Sequence, residues 1–411
     1  MRFCLIGEKL SHSFSAEIHE KKGGSYELIE LKREELLGFF ENFPFDGCNV
    51  TVPYKSAVIP YLYGLSDEAM AIGAVNTVVK KDGKLYGCNT DIGGFSALLE
   101  RSGYSYKEKH ALILGSGGAA KAVLYALTKM GVKSVQTVSR TGKWNYENCY
   151  ALTDTQMLIN ATPVGMYPNT NDLPVDIGKF PKLEAVFDCV YNPVKTKLVI
   201  EAEKRGLVIG GGLFMLVEQA LLARDVWLEQ RHEPKDTKEC FQALLLKKSN
   251  LVLSGMAGAG KTTVGKLVAK ALLREFYDVD EEIFSRTNKT SAEFIKTLGE
   301  ERFREIESEV IADLSKKSGI VIALGGGSVL SEKNIENLKQ NGVVGYLERE
   351  VEFLSDDNRP LSKKIGAKTL FEKRKPIYEK TMDFKVKNAG EIDRTVKEMI
   401  KGYEDTCYKR S

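Results

Sequence analysis

The sequence has no long apolar run, no block of charge of one sign and no internal repeat or low-complexity tract. None of its apolar stretches approaches the ~20 residues that a membrane-spanning helix requires, so no membrane partner is expected. Its 59 basic and 56 acidic residues are interspersed and leave a formal net charge of +3. Because nucleic-acid binding needs a clustered basic patch, no nucleic-acid partner is expected either.

The seven cysteines are an odd number, lie far apart and include no C-x-x-C pair. A disulfide framework or a cysteine metal site would need paired, closer spacing. The cysteines are therefore expected to be small buried residues in a reducing compartment. Since a short strand is also predicted directly after Met1, without a targeting segment, we expect a cytoplasmic protein.

The length and the order of the predicted elements indicate an α/β protein of more than one domain. A chain of 411 residues predicts two or three domains, each long enough to bury its own core. Strand-like and helix-like segments alternate along it, which is typical of α/β folds.

The most informative motif is GMAGAGKTT at residues 255–263. It follows a strand-like run at Asn250–Ser254 and opens a helical pattern. A glycine loop in this context wraps its backbone N–H groups around phosphates. Lys261 would neutralise phosphate charge, and the Thr262 hydroxyl would join an Mg²⁺ shell. The motif therefore predicts a nucleoside triphosphate site.

A second glycine turn, GSGGAA at residues 115–120, lies in the first part of the chain. A buried-type strand precedes it and a helical stretch follows, as in a dinucleotide-binding fingerprint. The next strand ends at Arg140, where NAD-binding proteins usually have an acidic residue, so the 2′-phosphate of NADP is favoured. The alternative is that Arg140 is a solvated loop cation. The predicted cofactor-binding residues are Gly115, Gly117, Gly118, Ala119, Arg140 and Thr141.

Two charged residues are predicted at strand ends, where sites form. Residues 47–55 are predicted as a strand running into a proline-marked break, which puts Lys55 at its end. Residues 74–91 are predicted as a hairpin around Lys81–Gly83 whose second arm delivers Asp91.

Residues 1–230 resemble shikimate dehydrogenase through six motifs in order. They are HSFS at 12–15, NVTVPYK at 49–55, IGAVNT at 72–77, NTD at 89–91, NATPVGM at 160–166 and MLVEQ at 215–219. The resemblance implies a substrate site formed by Ser13 and Ser15 at the carboxylate, and by Thr51, Asn76, Asp91 and Gln219 at the ring hydroxyls.

The same resemblance implies that Lys55 and Asp91 form the catalytic pair. Hydride addition to a ketone leaves an oxyanion that needs a nearby cation and a proton, and a lysine supplies both. Tyr191 is expected to contact the substrate, with a role as a core aromatic as the alternative. His12 and His19 are expected to be helix-start and packing residues.

Residues from about 249 to 411 resemble shikimate kinase. Besides the phosphate loop they contain DVD at 278–280, GEERFREIE at 299–307, LGGG at 324–327, RPL at 359–361 and RKPIY at 374–378. The resemblance implies ATP binding by Gly258, Ala259, Gly260, Lys261, Thr262 and Thr263, and shikimate binding by Asp280, Arg304, Gly325, Gly326, Gly327 and Arg374.

Catalytic roles in this second part are also implied by the resemblance. Thr262 is joined by Asp278 in the Mg²⁺ shell, and Asp280 orients or deprotonates the attacking hydroxyl. Lys261 and Arg359, the latter on a lid, stabilise charge on the transferring phosphoryl group.

The predicted organisation is a fusion of two α/β enzymes. A substrate domain at 1–100, completed by a returning helix at 213–230, precedes a Rossmann-type NADP domain at 101–212. A linker at 231–248 leads to a P-loop kinase domain with a parallel sheet at 249–411.

The predicted activity is NADPH-dependent reduction of 3-dehydroshikimate, followed by phosphorylation of shikimate with Mg²⁺ and ATP. The alternatives are a quinate-tolerant, NAD-using dehydrogenase fused to the kinase, and a fusion in which one half is a silent regulatory module. The expected partners are these small molecules, with the chain as a monomer or homodimer.

Overall fold

The computed structural model of the chain describes residues 1–10, 13–21, 23, 25–354 and 367–410. The chain divides into two compact units, Met1–Leu244 and Leu245–Ser411. Both are α/β, as the sequence predicts. Within the described ranges, no helix combines the length and the apolar character needed to cross a bilayer.

The first half of unit 1 is a mixed sheet with helices. Its strands are β1 (Arg2–Gly7), β2 (Ser25–Glu30), β3 (Gly47–Val50), β4 (Gly64–Leu65), β5 (Thr77–Lys81) and β6 (Lys84–Cys88), in the order β2-β1-β3-β5-β6-β4. Its helices are α1 (Ser15–Lys21), α2 (Leu36–Glu41), α3 (Asp67–Ile72) and α4 (Asp91–Arg101). β1 is parallel to β2 and β3, whereas β5 is antiparallel to β3 and β6.

The predicted hairpin between β5 and β6 is confirmed. Lys81 pairs with Lys84, so the connection has only two residues. These are Asp82 and Gly83, with φ of 49° and 74°. Positive φ at both positions gives a turn whose twist matches that of the strands. The hairpin brings the chain back to the start of α4 and thereby places Asp91.

The second half of unit 1 is a parallel sheet. Its strands are β7 (His110–Leu114), β8 (Ser134–Val138), β9 (Met157–Asn160), β10 (Ala185–Asp188) and β11 (Val208–Gly210), in the order β11-β10-β9-β7-β8. Helices α5 (Gly118–Lys129) and α6 (Lys197–Lys204) belong to this half. β8 and β9 lie on opposite sides of β7, so a topological switch point lies at the carboxyl ends of β7 and β9, where such sheets bind ligands.

Helix α7 (Gly212–Leu228) returns from this sheet to the first half. The Trp227 indole stacks on Phe3 with ring centroids 4.5 Å apart and donates to the Val78 carbonyl at 2.9 Å.

The stretch predicted as a linker contains a further helix, α8 (Pro234–Lys248). Proline is well tolerated in the first turn of a helix because its missing N–H has no intrahelical acceptor there.

Unit 2 contains a parallel sheet. Its strands are β12 (Asn250–Ser254), β13 (Phe276–Asp278), β14 (Val321–Ala323), β15 (Gly342–Glu348) and β16 (Phe384–Lys387), in the order β13-β14-β12-β15-β16. Its helices are α9 (Lys261–Leu272), α10 (Val279–Thr287), α11 (Ser291–Leu298), α12 (Glu300–Ser315), α13 (Glu332–Asn341), α14 (Ala367–Thr381) and α15 (Ile392–Arg410). β12 is buried along its whole length, as expected for the centre of a sheet covered on both faces.

The contact between α4 and α7 generates a stability prediction. A Cβ added at Gly94 would lie 2.8 Å from the Met215 carbonyl oxygen and 2.9 Å from Cβ of Gln219. Gly94→Ala should therefore force the two helices apart, and overpacking of this kind costs ~1–3 kcal/mol of unfolding free energy. In Gly38→Ala, on α2, the new methyl group meets no atom within 4 Å. That variant should instead gain about 0.4–1 kcal/mol, because alanine loses less backbone entropy on folding.

Urea denaturation followed by tryptophan fluorescence measures this difference. Both tryptophans of the chain, Trp144 and Trp227, belong to unit 1, so the signal reports on that unit. Equal midpoints for the two variants would contradict the close helix contact.

Candidate active sites

Lys55 and Asp91 form a largely buried ion pair in unit 1. Lys55 Nζ lies 2.5 Å from Asp91 Oδ2, with side-chain exposures of 15% and 9%. Lys55 comes from the loop after β3, and Asp91 is the first residue of α4. Charges withdrawn from water in this way need further hydrogen bonds to offset their lost hydration.

Asn76 supplies those hydrogen bonds and connects the pair to α7. Its Nδ2 donates to Asp91 Oδ1 at 2.9 Å and to Gln219 Oε1 at 3.3 Å. Its Oδ1 accepts the Thr90 backbone N–H at 2.7 Å. The structure thus brings together four of the predicted residues, Lys55, Asn76, Asp91 and Gln219.

The predicted serine pair lies at the start of α1. The Ser15 backbone N–H donates to Ser13 Oγ at 3.2 Å. The ring of Tyr191 lies 5.3 Å from that of Phe14, measured between centroids. Burial raises the pKa of Tyr191, and a hydrogen bond with Ser13 opposes the rise. Tyr191 is therefore beside the serine pair rather than in a remote part of the core.

Thr51 and His19 complete this region. Thr51 directly follows β3, and its backbone N–H donates to the Ile6 carbonyl at 3.0 Å. His19 is buried and stacks on Tyr26 with ring centroids 4.2 Å apart. Burial and the charge of Arg224 lower the pKa of His19 to about 3, which fits the predicted packing role. His12 lies outside the described residues.

The first glycine turn brings the start of α5 against Lys55. Gly115 has φ of 114°, and its N–H donates to the Val138 carbonyl at 2.8 Å. A Cβ added at Gly118 would lie 3.1 Å from Lys55 Cδ, whereas one at Gly117 would meet nothing within 4 Å. The turn therefore has no free space between Gly118 and Lys55, whereas the space beside Gly117 is open. Ala119 follows in the first turn of α5, whose leading N–H groups have no intrahelical acceptors.

Arg140 and Thr141 follow β8, the strand beside β7. Both side chains are exposed. Because Gly115 is bonded to the last residue of β8, these two residues border the same edge of the sheet as the glycine turn. Arg140 is therefore an exposed cation at this edge, and its role toward a cofactor stays a prediction.

The phosphate loop of unit 2 follows β12 and ends at α9, whose first residues are Lys261, Thr262 and Thr263. Gly258 and Gly260 have φ of 86° and 95°, which favours glycine at both positions. Lys261 Nζ donates to the carbonyl oxygens of Gly255 and Met256, each at 2.9 Å. Its ammonium group is thereby held across the loop.

Thr262 and Asp278 supply oxygen ligands beside this loop. Thr262 Oγ1 donates to Asp278 Oδ2 at 2.6 Å, and Asp278 Oδ1 accepts the Asp280 backbone N–H at 2.9 Å. Burial raises the pKa of Asp278. Hydroxyl and carboxylate oxygens are the ligands that Mg²⁺ prefers, so the pair fits the predicted metal role.

The predicted substrate residues of unit 2 surround the LGGG segment. Arg374 Nη1 donates to the Gly326 carbonyl at 3.1 Å. A Cβ added at Gly327 would lie 2.5 Å from Arg304 Nη2, one at Gly326 2.9 Å from the Ala257 nitrogen, and one at Gly325 3.7 Å from Asp280 Oδ1. Glycine at 326 and 327 therefore allows the phosphate loop and Arg304 to approach this segment closely, and Asp280 and Arg374 also lie beside it. Arg359 lies outside the described residues.

Three residues that the sequence did not single out take part in these sites. Thr90 bonds to Asn76, as described above. Glu307, 1% exposed, accepts from Arg304 Nη1 at 2.8 Å and from Ser328 Oγ at 2.7 Å. Asn388 Nδ2 donates to the Ala259 carbonyl in the phosphate loop at 2.7 Å. Thr90 and Glu307 belong to the NTD and GEERFREIE motifs, so their motifs were the available signal. Asn388 follows a parallel strand, so its position at a strand end was the available signal.

A cavity of about 720 Å³ adjoins the phosphate loop. Its lining includes Arg349 and Asn388, which contact the carbonyl oxygens of Gly258 at 3.5 Å and Ala259 at 2.7 Å. Phe353 and Phe371 also line it. Its size is within the range of small-molecule sites.

Comparison with known proteins identifies both units. The family model of the shikimate dehydrogenase substrate binding domain matches residues 5–78. Unit 1 is similar to the shikimate dehydrogenase (NADP(+)) of Clostridium beijerinckii, with 39% identity over 260 residues, 58% of this chain and 96% of that protein.

Solved structures agree. Shikimate dehydrogenase 1 from Peptoclostridium difficile has a TM-score of 0.56 at 32% identity, covering 59% of this chain and 98% of that one. Quinate dehydrogenase from Corynebacterium glutamicum in complex with NAD has a TM-score of 0.53 at 27% identity, covering 59% of this chain and 99% of that one.

The family model of shikimate kinase matches residues 257–404. The chain therefore belongs to the shikimate dehydrogenase family through its first unit and carries a shikimate kinase domain in its second.

Proposed function

We propose that the chain catalyses two consecutive reactions. Unit 1 reduces 3-dehydroshikimate to shikimate with NADPH, and unit 2 phosphorylates the 3-hydroxyl of shikimate with Mg²⁺ and ATP. The observation that carries the proposal is the position of Lys55, in contact with Asp91 on one side and with the glycine turn of α5 on the other. This position supports a role for Lys55 as the proton donor between substrate and cofactor.

In unit 1, NADPH supplies the hydride when bound. The open position at Gly117 and the N-terminus of α5 fit its pyrophosphate, and Arg140 with Thr141 would hold the 2′-phosphate. Lys55 would donate a proton to the substrate oxygen as negative charge develops there. Asp91 orients the lysine, and Asn76 holds Asp91 in turn.

The other polar residues of unit 1 would orient the substrate. Ser13 and Ser15 would donate hydrogen bonds to its carboxylate, with Tyr191 beside them. Thr51, Asn76, Asp91 and Gln219 would bind the ring hydroxyls. Such positioning converts a bimolecular reaction into an effectively unimolecular one.

In unit 2, Mg·ATP supplies the phosphoryl group when bound. The loop from Gly258 to Thr263 would bind the phosphates, with Lys261 neutralising charge, while Thr262 and Asp278 would hold Mg²⁺. Asp280 would orient or deprotonate the attacking hydroxyl. Arg359 is proposed to stabilise the transferring group. The adjoining cavity has room for the base.

Two guanidinium groups would bind the shikimate carboxylate. Arg304 is held by the buried Glu307, and Arg374 by the Gly326 carbonyl. Arginine matches a planar carboxylate with two parallel hydrogen bonds, which lysine cannot do.

A coupled assay tests the two sites separately. With 3-dehydroshikimate, NADPH and ATP, nicotinamide oxidation and ADP release are followed independently. Lys55→Ala should lower the dehydrogenase kcat by ~10²–10⁴-fold, the usual size of a general acid's contribution, and leave phosphorylation of added shikimate unchanged. Lys261→Ala should lower the rate of shikimate phosphorylation and leave the dehydrogenase kcat unchanged. Lys182→Ala, on an exposed ion pair with Asp154, should change neither. Loss of both activities in a folded Lys55→Ala protein would contradict two independent sites.

Cofactor choice tests the role of Arg140. Its guanidinium would make a charge-assisted hydrogen bond worth about 1.5–3 kcal/mol to the 2′-phosphate, so Arg140→Ser should raise the KM for NADPH roughly tenfold or more without changing that for NADH. Lys133→Ser is the matched control, because Lys133 precedes the other end of β8. The likeness to an NAD-bound quinate dehydrogenase makes NADH and quinate necessary comparisons. A wild-type preference for NADH would reject the assignment of Arg140.

Carboxylate recognition in unit 2 gives a further prediction. Arg304→Lys keeps the charge but removes the two-pronged geometry, so the KM for shikimate should rise roughly tenfold, the equivalent of one lost hydrogen bond to a charged group. Arg302→Lys is the control on the same helix, since Arg302 is exposed and paired with Glu305. Steady-state kinetics with shikimate varied at saturating ATP would show the difference. Equal KM values for the two variants would exclude a direct role for Arg304.

A further inference from the structure

Asp188 is a buried carboxylate to which the proposed reactions assign no role. It ends β10 and is 0% exposed. Its Oδ1 accepts from Asn160 Nδ2 at 3.0 Å and from the Val190 N–H at 2.9 Å, and its Oδ2 accepts from Thr196 Oγ1 at 2.6 Å. Burial raises the pKa of Asp188 to about 7, and these hydrogen bonds oppose the rise.

Asn160 connects Asp188 to the loop after the neighbouring strand. The two residues are direct partners in the β9–β10 register. Asn160 Nδ2 also donates to the Val164 carbonyl at 3.2 Å. Its Oδ1 accepts the Thr162 N–H at 3.1 Å and the Thr162 hydroxyl at 2.6 Å. Asn160 therefore fixes the shape of residues 161–164, which we call the cofactor-side loop.

This loop packs against the glycine turn. A Cβ added at Gly115 would lie 3.0 Å from the Ala161 carbonyl oxygen and 3.1 Å from Thr162 Cγ2. The place proposed for the cofactor is thus bounded by a loop whose shape depends on Asn160.

The loop that follows Asp188, residues 189–192, faces the substrate residues, and we call it the substrate-side loop. Burial raises the pKa of the Cys189 thiol, which also senses the charges of Asp91 and Lys55. Two residues later, Tyr191 lies beside Phe14 and Ser13. The Asp188–Asn160 hydrogen bond therefore joins the cofactor-side and substrate-side loops at their bases.

We propose that Asp188, acting through Asn160, is a positioning residue for the reduction. It fixes the separation of the cofactor-side and substrate-side loops and thereby aligns the nicotinamide with the substrate carbonyl. The inference rests on the dehydrogenase activity proposed above. The reaction rate is sensitive to this alignment, because a misplacement of ~1 Å can reduce a rate ~10²-fold.

The hydrogen-bond pattern distinguishes two substitutions. In Asp188→Asn, the amide oxygen still accepts from Asn160 and Val190, and the amide nitrogen donates to the Thr196 hydroxyl, which can turn to accept. In Asp188→Ala, the buried donors lose their acceptor. Asparagine should therefore preserve the positioning, and alanine should not.

The experiment compares full-length Asp188→Ala and Asp188→Asn with Glu184→Ala. Glu184 lies at the opposite end of β10 and binds Lys109 at 2.6 Å and Tyr104 at 2.9 Å. The readouts are kcat, the KM for NADPH and for 3-dehydroshikimate, and the primary isotope effect with 4-deuterated NADPH. Asp188→Ala should lower kcat/KM ~10–100-fold, with a raised KM for NADPH and a larger isotope effect. Asp188→Asn should stay within about twofold of wild type, and Glu184→Ala should leave KM and isotope effect unchanged.

Two outcomes would overturn the inference. One is an Asp188→Ala protein whose kcat falls only with its folded fraction, measured by tryptophan fluorescence, while KM and isotope effect do not change. The other is an Asp188→Asn protein as impaired as the alanine variant.

A milder variant keeps the test decisive if Asp188→Ala does not fold. Thr162→Val keeps nearly the same shape and removes the hydroxyl that donates to Asn160 at 2.6 Å and accepts the Val164 N–H at 3.2 Å, so it should raise both the KM for NADPH and the isotope effect. Unchanged values would overturn the inference. A wild-type chain that does not oxidise NADPH with 3-dehydroshikimate would instead overturn the proposed function.

Discussion

The buried ion pair between Lys55 and Asp91 is the constraint on which the geometry of unit 1 depends. Two charges removed from water persist only where the surroundings replace their hydration. Asn76 does so through an amide hydrogen bond, and the first turn of α4 favours the negative charge of Asp91 at its N-terminus. The hairpin, the returning helix α7 and the glycine turn all converge on this pair, so a shift in any of them would disturb it.

Both units take polar groups from loops and helix starts that follow strands, and both use glycine to bring backbone and side chains close. At Gly118 the missing side chain admits Lys55, and at Gly326 it admits the phosphate loop. In both cases a methyl group would occupy the space where two functional segments meet. At Gly326 glycine is thus needed for the close approach, whereas at Gly118 the Lys55 side chain would have to shift by a few tenths of an ångström to admit a methyl group.

The two proposed sites would bind the same carboxylated ring by different means. In unit 1 the proposal assigns the carboxylate to serine hydroxyls, because the cation Lys55 is needed at the reacting oxygen. In unit 2 the proposal assigns it to two arginines, which Glu307 and the Gly326 carbonyl hold in orientation. In the proposed reaction the second unit uses charge at the carboxylate, because the phosphoryl transfer takes place at a hydroxyl beside the phosphate loop. Shikimate, the proposed product of the first unit, is also the proposed ligand of the second.

The sequence by itself determined those features of the fold that depend on short-range interactions. The phosphate loop, the dinucleotide turn, the hairpin at Asp82–Gly83 and the α/β class follow from local backbone geometry and apolar patterning. The tertiary structure alone decided which distant groups meet, because such contacts depend on how strands order and helices return. Asn76 and Gln219 are 143 residues apart, and Ala259 and Asn388 are 129 apart. The pairing of Asp188 with Asn160 likewise depends on β9 and β10 being neighbours in register, which no local pattern specifies.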